Sequence, residues 1–535
     1  MSKNKLYGSF ESKYKRYQKS ENPFLAPISK GQVTAWTDTV WRGERVHTQI
    51  IIWTEKETIN NIKYKVSDLK NAENTISSNQ IRLRFGQYVI GDRDAAFCDE
   101  VKTRENIYIA DALSQKPITT VFKEDPIKLW LTVDIPENSH EGIYEGTIEI
   151  TGSDATSVTL NISFFVLNRT LPKVADWKFH LDIWQFPFQL TYIINRNGGS
   201  VLPFSDEYFR IIKPFYAMLA DAGQKTVTAY IKDGAFGKGE TMVKWTKLSN
   251  GTWYFDYSDF DRYVQELFSL GIDKQINCFS IVGWNKTINY YDAATESEKN
   301  LDYLIGSTEF NNLWNIFLTD FRSHLQQKGW FEKVVLYMDE IKNEEMRAVI
   351  NLIKGHDKAW KIGLAGGETT LDIENSLYDY STILGFNRKS TNNTIATYYT
   401  SCAQTQPNNY VTVENNPAEM TWLGWYASSK GYNGFLRWAL DYWQSNDPMN
   451  AQDGANSSGD FSFIYRSDNT ANAKPVSSIR FEMLREGIQD YEKIRILSSD
   501  TQIANVLKAF TETSGKNAKP VVEKAQSLLK KMAIK

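Results

Sequence analysis

Hydrophobic and polar residues alternate with period two through much of the first third of the chain. Ile127, Leu129, Leu131, Val133 and Ile135 alternate with Lys128, Trp130, Thr132 and Asp134. Tyr144, Gly146, Ile148 and Ile150 continue the pattern, and after the turn Gly152-Ser153-Asp154 it returns in Val158, Leu160, Ile162 and Phe164. Successive strand residues point to opposite faces, so this spacing predicts antiparallel strands with one buried face, as in a β-sandwich. The sandwich is assigned to 30–170, behind an N-terminal extension at 1–29. No convergent acids or histidines collect there, which makes it a packing or positioning module.

Beyond a connector containing Leu171-Pro172 the period changes. Short apolar segments at 178–184, 226–231, 276–283, 333–339, 361–365, 381–386, 394–400 and 433–438 are separated by longer stretches. Amphipathic helices are predicted at 207–222, 257–270, 309–328, 343–354 and 417–429. Repeated strand–helix units predict a (β/α)8 barrel over 175–495. A helical pattern runs from 480 to the end, with 496–535 as a C-terminal helical extension. The expected fold class is multidomain β and α/β: an N-terminal antiparallel β-sandwich, then a (β/α)8 barrel with C-terminal helices.

Within that pattern Asp339 and Glu340 stand out. They close the apolar run Val334, Val335, Leu336, Tyr337 and Met338, the signature of a parallel strand covered on both faces. Carboxylates at the end of a buried strand are costly unless chemistry uses them. Asp-Glu also occurs at Asp99-Glu100, in a mixed polar segment, and at Asp206-Glu207, which follows Ser205 and reads as the first turn of a helix. The bland alternative makes Asp339-Glu340 the first acids of the next helix, but Asn343 is better placed as its cap, with Glu344 and Glu345 in its first turn. Barrels carry their active sites at the C-terminal ends of the strands, and the fourth predicted strand delivers both acids there.

Other candidates follow from position. His180, Asp182 and Trp184 lie at i, i+2 and i+4 of the first strand and share a face. Asp182 is expected to accept sugar hydroxyls and Trp184 to form a stacking wall, while His180 sits deeper; the alternative is that His180 and Asp182 satisfy each other inside the barrel. Trp438, ending the eighth strand, is expected to be the floor for a pyranose ring. Tyr398 and Tyr399 end the seventh strand, where a phenol can donate to a substrate carbonyl; Tyr398 is counted with the sugar contacts, as is Tyr337 beside the acids. Trp422, Trp425 and Trp443 are expected to be core. Gly366-Gly367 lacks the Lys-Ser/Thr ending of a nucleotide loop and reads as a tight turn.

Composition narrows the partners. Lys plus Arg total 61 against 64 Asp plus Glu, a formal charge of −3 that leaves no basic excess for nucleic acid. Aromatic residues make up 13% of the chain, a load that suits both sugar stacking and ordinary cores. Cys98, Cys278 and Cys402 are far apart and odd in number, so no disulfide framework or thiolate metal cluster is indicated. His47, His140, His180, His324 and His356 are equally scattered, and no metal or cofactor is expected. No segment approaches the roughly 18 apolar residues of a membrane span, and MSKNKLYGSFESKYKRYQ lacks the apolar core of a signal peptide.

Three segments together resemble glycoside hydrolase family 123, the β-N-acetylgalactosaminidases: YMDE at Tyr337 to Glu340, GFLRWA at Gly434 to Ala439, and SSIRFEMLREGIQDYE at Ser477 to Glu492. WRGERVHTQI, Trp41 to Ile50, is similar to the accessory sandwich of that family. The resemblance implies exo-acting, retaining release of terminal β-linked N-acetylgalactosamine from glycans or glycolipids, by an exported protein. It implies that the substrate's own 2-acetamido oxygen attacks the anomeric carbon. Asp339 would polarise the acetamido N–H, and Glu340 would protonate the leaving oxygen and then activate water. The helix bearing Arg480, Glu482, Arg485 and Asp490 would be an ion-paired brace. Adjacent carboxylates fit this independently. They are too close for the roughly 6.5–9.5 Å of an inverting pair, and neighbours on one strand end do not readily flank both faces of one carbon at about 5–5.5 Å. Two alternatives remain: a retaining glycosidase with Glu414 as covalent nucleophile, and a non-catalytic glycan-binding protein.

Overall fold

The alternating segments close as expected: Gly142–Thr151 and Ser157–Thr170 pair antiparallel with Ile148 opposite Leu160 and Ile150 opposite Val158. The computed structural model describes residues 5–534 except 20–30, 99, 101–103, 124, 154–155, 237–239, 387–390, 392 and 453; Asp99, Asp154 and residues 1–4 and 20–29 of the expected N-terminal extension therefore lie outside the described residues. One sheet of the sandwich runs, in spatial order, Leu6–Glu11, Arg45–Thr54, Ile127–Asp134, Ile81–Gly91 and Ile107–Ser114, and the other is built around Ala35–Arg42, Ser157–Thr170 and Gly142–Thr151. Ile50, Leu129, Leu131, Ile148, Leu160 and Phe164 fill the core between them.

Three features depart from the sequence expectation. Leu6–Glu11, placed in an extension, is a sheet strand with Phe10 opposite Ile50. Ala35–Arg42 pairs parallel to Ser157–Thr170. The face of Ile127–Asp134 carrying Lys128, Trp130 and Thr132 is buried as well: Lys128 lies over the Tyr88 ring and pairs with Asp125, and Thr132 accepts from Arg84, which pairs with Glu482 near the C-terminus. The first sheet even continues into the far end of the chain through Pro475–Ser478 and Tyr465–Arg466.

Eight parallel strands form the second unit: β1 (His180–Ile183), β2 (Thr226–Tyr230), β3 (Gln275–Phe279), β4 (Val334–Asp339), β5 (Lys361–Gly366), β6 (Asp379–Ile383), β7 (Ile395–Tyr399) and β8 (Gly434–Arg437). Each coincides with a predicted segment. Around them lie α1 (Asp206–Asp221), α2 (Ser258–Ser269), α3 (Thr308–Lys328), α4 (Asn343–His356), α5 (Ala418–Lys430) and α6 (Ile479–Ile496). The sheet runs β1-β8-β7-β6-β5-β4-β3-β2 and nearly closes. At the β1–β2 seam, side chains stand in for ladder bonds: the Gln224 amide accepts from Ile183 N–H at 2.9 Å and donates to Ile183 C=O at 3.1 Å, and Gln185 accepts from Thr228 N–H at 2.8 Å. The β2 and β3 loops add a four-stranded sheet, Lys244–Lys247, Trp253–Asp256, Ile288–Asp292 and Ser297–Leu301, which the sequence pattern did not announce.

Helix α6 joins the two units. Arg480 pairs with Asp111 at 2.8 Å, Glu482 with Arg84 at 2.5 Å, Glu486 with Lys13 at 2.6 Å, and Lys493 with Glu44. These partners lie in the sandwich or the segment leading into it; apart from the half-buried Lys13 the paired groups are buried, so losing one member of those pairs would strand a charge at a cost of about 3–5 kcal/mol. On its other side α6 crosses α5 where Gly424 meets the carbonyl of Gly487, too close for any Cβ. A second link corrects the cysteine reading: Cys98 of the sandwich is disulfide-bonded to Cys402 in the β7 loop, across 304 residues of sequence, while Cys278 is free and buried.

Inside the barrel a polar layer lies at the level of Asp182, and Tyr337 crosses above Gly363, whose missing Cβ leaves room for the ring. Gly363→Ala forces that ring aside and should lower stability by about 1–3 kcal/mol. Gly355→Ala in α4, where a Cβ meets nothing, should leave stability equal or raise it by up to about 1 kcal/mol. Thermal unfolding of the two variants beside the parent checks both; a Gly363→Ala protein as stable as the parent would contradict this packing.

Candidate active site

Asp339 is the last residue of β4, and its inward direction follows from alternation with Tyr337 and Val335. A regular strand would turn Glu340 outward. Its backbone instead adopts φ 49°, in the left-handed region, while its N–H still bonds Ala365 C=O at 2.9 Å. A non-glycine residue there costs on the order of 1–3 kcal/mol, and such strain persists where the surroundings hold it. Here Tyr399, at the end of β7 on a different part of the rim, donates its hydroxyl to Glu340 Oε1 at 2.8 Å. Both acids thus serve one mouth. Glu340 is exposed, whereas Asp339 is partly buried and accepts a hydrogen bond from the indole N–H of Trp284 at 3.1 Å.

Burial, reinforced by the neighbouring Glu340 carboxylate and opposed by the Trp284 N–H, pushes the Asp339 carboxyl up to about 8. The role expected of Glu340, protonating the leaving oxygen, needs the starting proton there. The low-dielectric environment falls on Asp339, because its side chain points into the barrel while Glu340 is exposed. Asp339 therefore keeps its proton up to about pH 8, beside the Glu340 carboxyl.

Aromatic rings floor the mouth. Tyr337 contacts Phe279 at 5.2 Å, Trp184 contacts Phe279 at 4.9 Å and Phe236 at 5.2 Å, and Phe236 leads through Phe186 to Trp438. Trp438 is partly buried at the end of β8, edge-on to Phe461, in keeping with its expected place at the rim. Trp184 is 1% exposed, so it is floor rather than wall.

The other four expected sugar contacts are directed away from the mouth. Asp182 is buried in the barrel, accepting from Thr226 Oγ1 and, at 2.9 Å, from Asn277 Nδ2; burial and Asp379 push it up to about 7. His180 lies 3.7 Å from Asp379 and is lowered to about 3 by burial, so its neutral ring belongs to the same interior layer. The alternative of an internally satisfied pair thus describes their burial, with Asp379 rather than Asp182 beside the histidine. Tyr398 points out of the barrel and donates to Leu423 C=O of α5 at 2.7 Å, because residues 396 and 398 face the helices and 397 and 399 the interior. Tyr337 is fully buried with its hydroxyl directed at Asp379, 3.4 Å away.

Two site residues were missed or misassigned. Tyr399, not the expected Tyr398, faces the mouth; polar Thr397 at the same parity marks the inward face of a barrel with a polar interior. Trp284 was not singled out. Its signal is a tryptophan between Gly283 and Asn285 just past the third strand, where core packing has no use for it; it is 68% exposed. Asn343 does not cap α4: the helix begins after Lys342, and Asn343 Oδ1 accepts from Thr369. Trp422, Trp425 and Trp443 are core, as expected. Among the described residues no group of three or more His, Cys, Asp or Glu is arranged to hold a metal, and no helix is long and apolar enough to cross a membrane.

Comparison with known proteins places the chain in a family. The family model described as Glycoside hydrolase 123, catalytic domain, matches residues 193–497, and the one described as Glycoside hydrolase 123 N-terminal domain matches 8–152. A solved family 123 glycoside hydrolase from Clostridium perfringens, studied for glycolipid glycan hydrolysis, is 25% identical, covers 98% of this chain and 99% of its own, and superposes with a TM-score of 0.85. A GH5 xyloglucanase from Bacteroides ovatus is 8% identical over 85% of this chain and 98% of its own, at a TM-score of 0.30, too low to bear on the argument. No match is found among curated proteins. With the catalytic match spanning more than half of its length and a family member sharing its fold from end to end, the chain belongs to glycoside hydrolase family 123.

Proposed function

We propose that the chain releases terminal β-linked N-acetylgalactosamine from glycans or glycolipids by retaining, substrate-assisted hydrolysis, with Asp339 and Glu340 as its catalytic residues. The observation that carries the reading is two consecutive carboxyls at one strand end, turned to the same mouth by the left-handed backbone of Glu340. Such a pair meets neighbouring substituents of one sugar, the 2-acetamido group and the leaving oxygen. The work on the Clostridium perfringens relative supports a glycolipid glycan as substrate. Export to an oxidising compartment is supported by the Cys98–Cys402 disulfide.

In the first step the acetamido oxygen attacks C1 as the C1–O bond breaks, and the pair's proton passes from Glu340 to the departing oxygen. The acetamido N–H donates to Asp339, which favours its ionised form and leaves the proton on Glu340, where it is needed. Trp284 N–H supports the same ionised state. The resulting oxazolinium is opened by water, which gives a proton to Glu340 as the C1–O bond re-forms on the original face. Tyr399 holds Glu340 in place through both steps. Glu414, the alternative nucleophile, is exposed on a loop that pairs with the sandwich at Arg93. A panel of aryl β-glycosides differing at C2 and C4 tests the substrate: turnover should require the 2-acetamido group and favour the galacto epimer, and comparable hydrolysis of the 2-hydroxy sugar would refute the reading.

Two further outcomes are expected. Glu340→Gln should lose about 10²–10⁴-fold in kcat/KM on substrates with poor leaving groups and far less on activated aryl glycosides, which need little protonation. Asp339→Asn should impair both. Equal losses on the two substrates in Glu340→Gln would deny it the acid's role.

The pH profile follows from the shared proton. Asp339 at about 8 supplies a proton that the two neighbouring carboxyls can exchange below that pH, so activity persists into the neutral range and falls as that proton leaves. Asp339→Asn removes the like charge, so the basic limb of the residual kcat/KM profile should move to lower pH. An unmoved or higher limb, in protein shown to be folded at each pH, would mean that the charge of Asp339 does not hold the proton.

A further inference from the structure

Trp284 is more than two thirds exposed, so packing does little to hold the indole that donates to Asp339. The loop beneath it does. Lys232, two residues past β2, is 1% exposed, and its ammonium donates to three backbone carbonyls: Asp233 at 2.8 Å, Asn285 at 2.8 Å and Thr287 at 3.0 Å. An ammonium has three protons and no acceptor, so these bonds use its whole capacity. Two of the carbonyls belong to the β3 loop immediately after Trp284. The β2 and β3 loops also touch through Asn285 N–H to Gly234 C=O at 3.1 Å and Trp284 N–H to Ala235 C=O at 3.4 Å. Gly283 lies so close to Gly234 and Ala235 that a Cβ there would overlap their backbone. Asn289, further along the same loop, donates to Asp233.

A buried lysine ending on carbonyls is an expensive way to join two loops, since desolvation opposes its charge. The family reading gives Lys232 no contact with substrate. We propose that Lys232 is a positioning residue: its ammonium fixes the β3 loop and thereby keeps the Trp284 N–H on Asp339. The effect on turnover rests on the role assigned to Asp339 above; the effect on Trp284 does not.

The groups concerned are few. Asp339 is faced by Glu340, Trp284, Tyr337 and Tyr399, and Glu340 by Tyr399. Lys232 is faced by Asp233, with Glu240 next to that carboxylate. Loss of the Trp284 N–H removes a bond that favours the Asp339 anion, so the basic limb should rise. Burial lowers Lys232 to about 8, the same range, so the limb needs a second readout.

The experiment compares Lys232→Met, Trp284→Phe and the double variant in the full chain. It measures kcat, KM, the pH profile and the indole ¹H–¹⁵N spectrum, in which Trp284→Phe assigns the Trp284 signal. Each single variant should lose roughly 10- to 100-fold in kcat/KM, the worth of one hydrogen bond to a charged group, mostly in kcat. The double variant should be no worse than the more impaired single one, because both remove the same bond. In Lys232→Met the Trp284 indole signal should shift or broaden while the other indoles keep their positions. Gly283→Ala, which retains the lysine and displaces the same loop, should reproduce the result if Lys232→Met does not fold. An unmoved Trp284 signal, or losses that multiply in the double variant, would overturn the proposal. A displaced signal with unchanged kinetics would uphold the placement of Trp284 and count instead against Asp339 as a catalytic residue.

Discussion

Two carboxyls on consecutive residues at the end of one parallel strand cannot both face the same mouth while the backbone stays regular. The left-handed turn at Glu340 resolves that conflict, and much of the site is arranged around it. The N–H of Glu340 keeps its ladder bond to β5, so the turn is anchored on one side. Tyr399 anchors its carboxylate from the end of β7. Asp339 remains on the inward face, where burial and its neighbour raise its affinity for a proton. Strain, proton sharing and position of the acids are thus one arrangement.

Beneath the pair the barrel interior is divided. An aromatic layer of Trp184, Phe236, Phe279 and Tyr337 separates the mouth from a polar layer in which Asp182, Asn277, Gln275 and Asp379 are linked by hydrogen bonds. That division explains why Asp182, attractive as a sugar contact by its place on β1, is spent on the interior. The sandwich acts on the same mouth from outside. Helix α6 clamps it to the barrel through buried ion pairs, and the Cys98–Cys402 bond fastens it three residues beyond Tyr399. The accessory unit is therefore part of the frame that holds the rim.

Periodicity revealed the barrel because its eight strands are short apolar runs with long amphipathic helices between most of them, a contrast that needs no tertiary information. It placed Asp339 and Glu340 correctly at the end of β4 for the same reason. It failed where the outcome depends on which elements meet. Thr132 on the outer face of Ile127–Asp134 is covered through Arg84, whose partner Glu482 lies on α6 some 350 residues later. Cys98 and Cys402 pair across a separation that spacing rules cannot bridge. Tyr398 and Tyr399 differ by one position, and in a strand one position exchanges the mouth for the helix layer. Trp284 acquires its meaning from a loop conformation set by Lys232.

The central claim is that the substrate's acetamido oxygen, held by Asp339, is the nucleophile. The most direct measurement is kcat/KM across a series of aryl β-glycosides whose N-acyl group is successively mono-, di- and trifluorinated. Fluorination drains the acyl oxygen of electron density and leaves the aglycone unchanged. The account predicts a steep, monotonic fall in rate along the series; a flat response, with a sugar trapped covalently on a carboxylate of the protein, would contradict it.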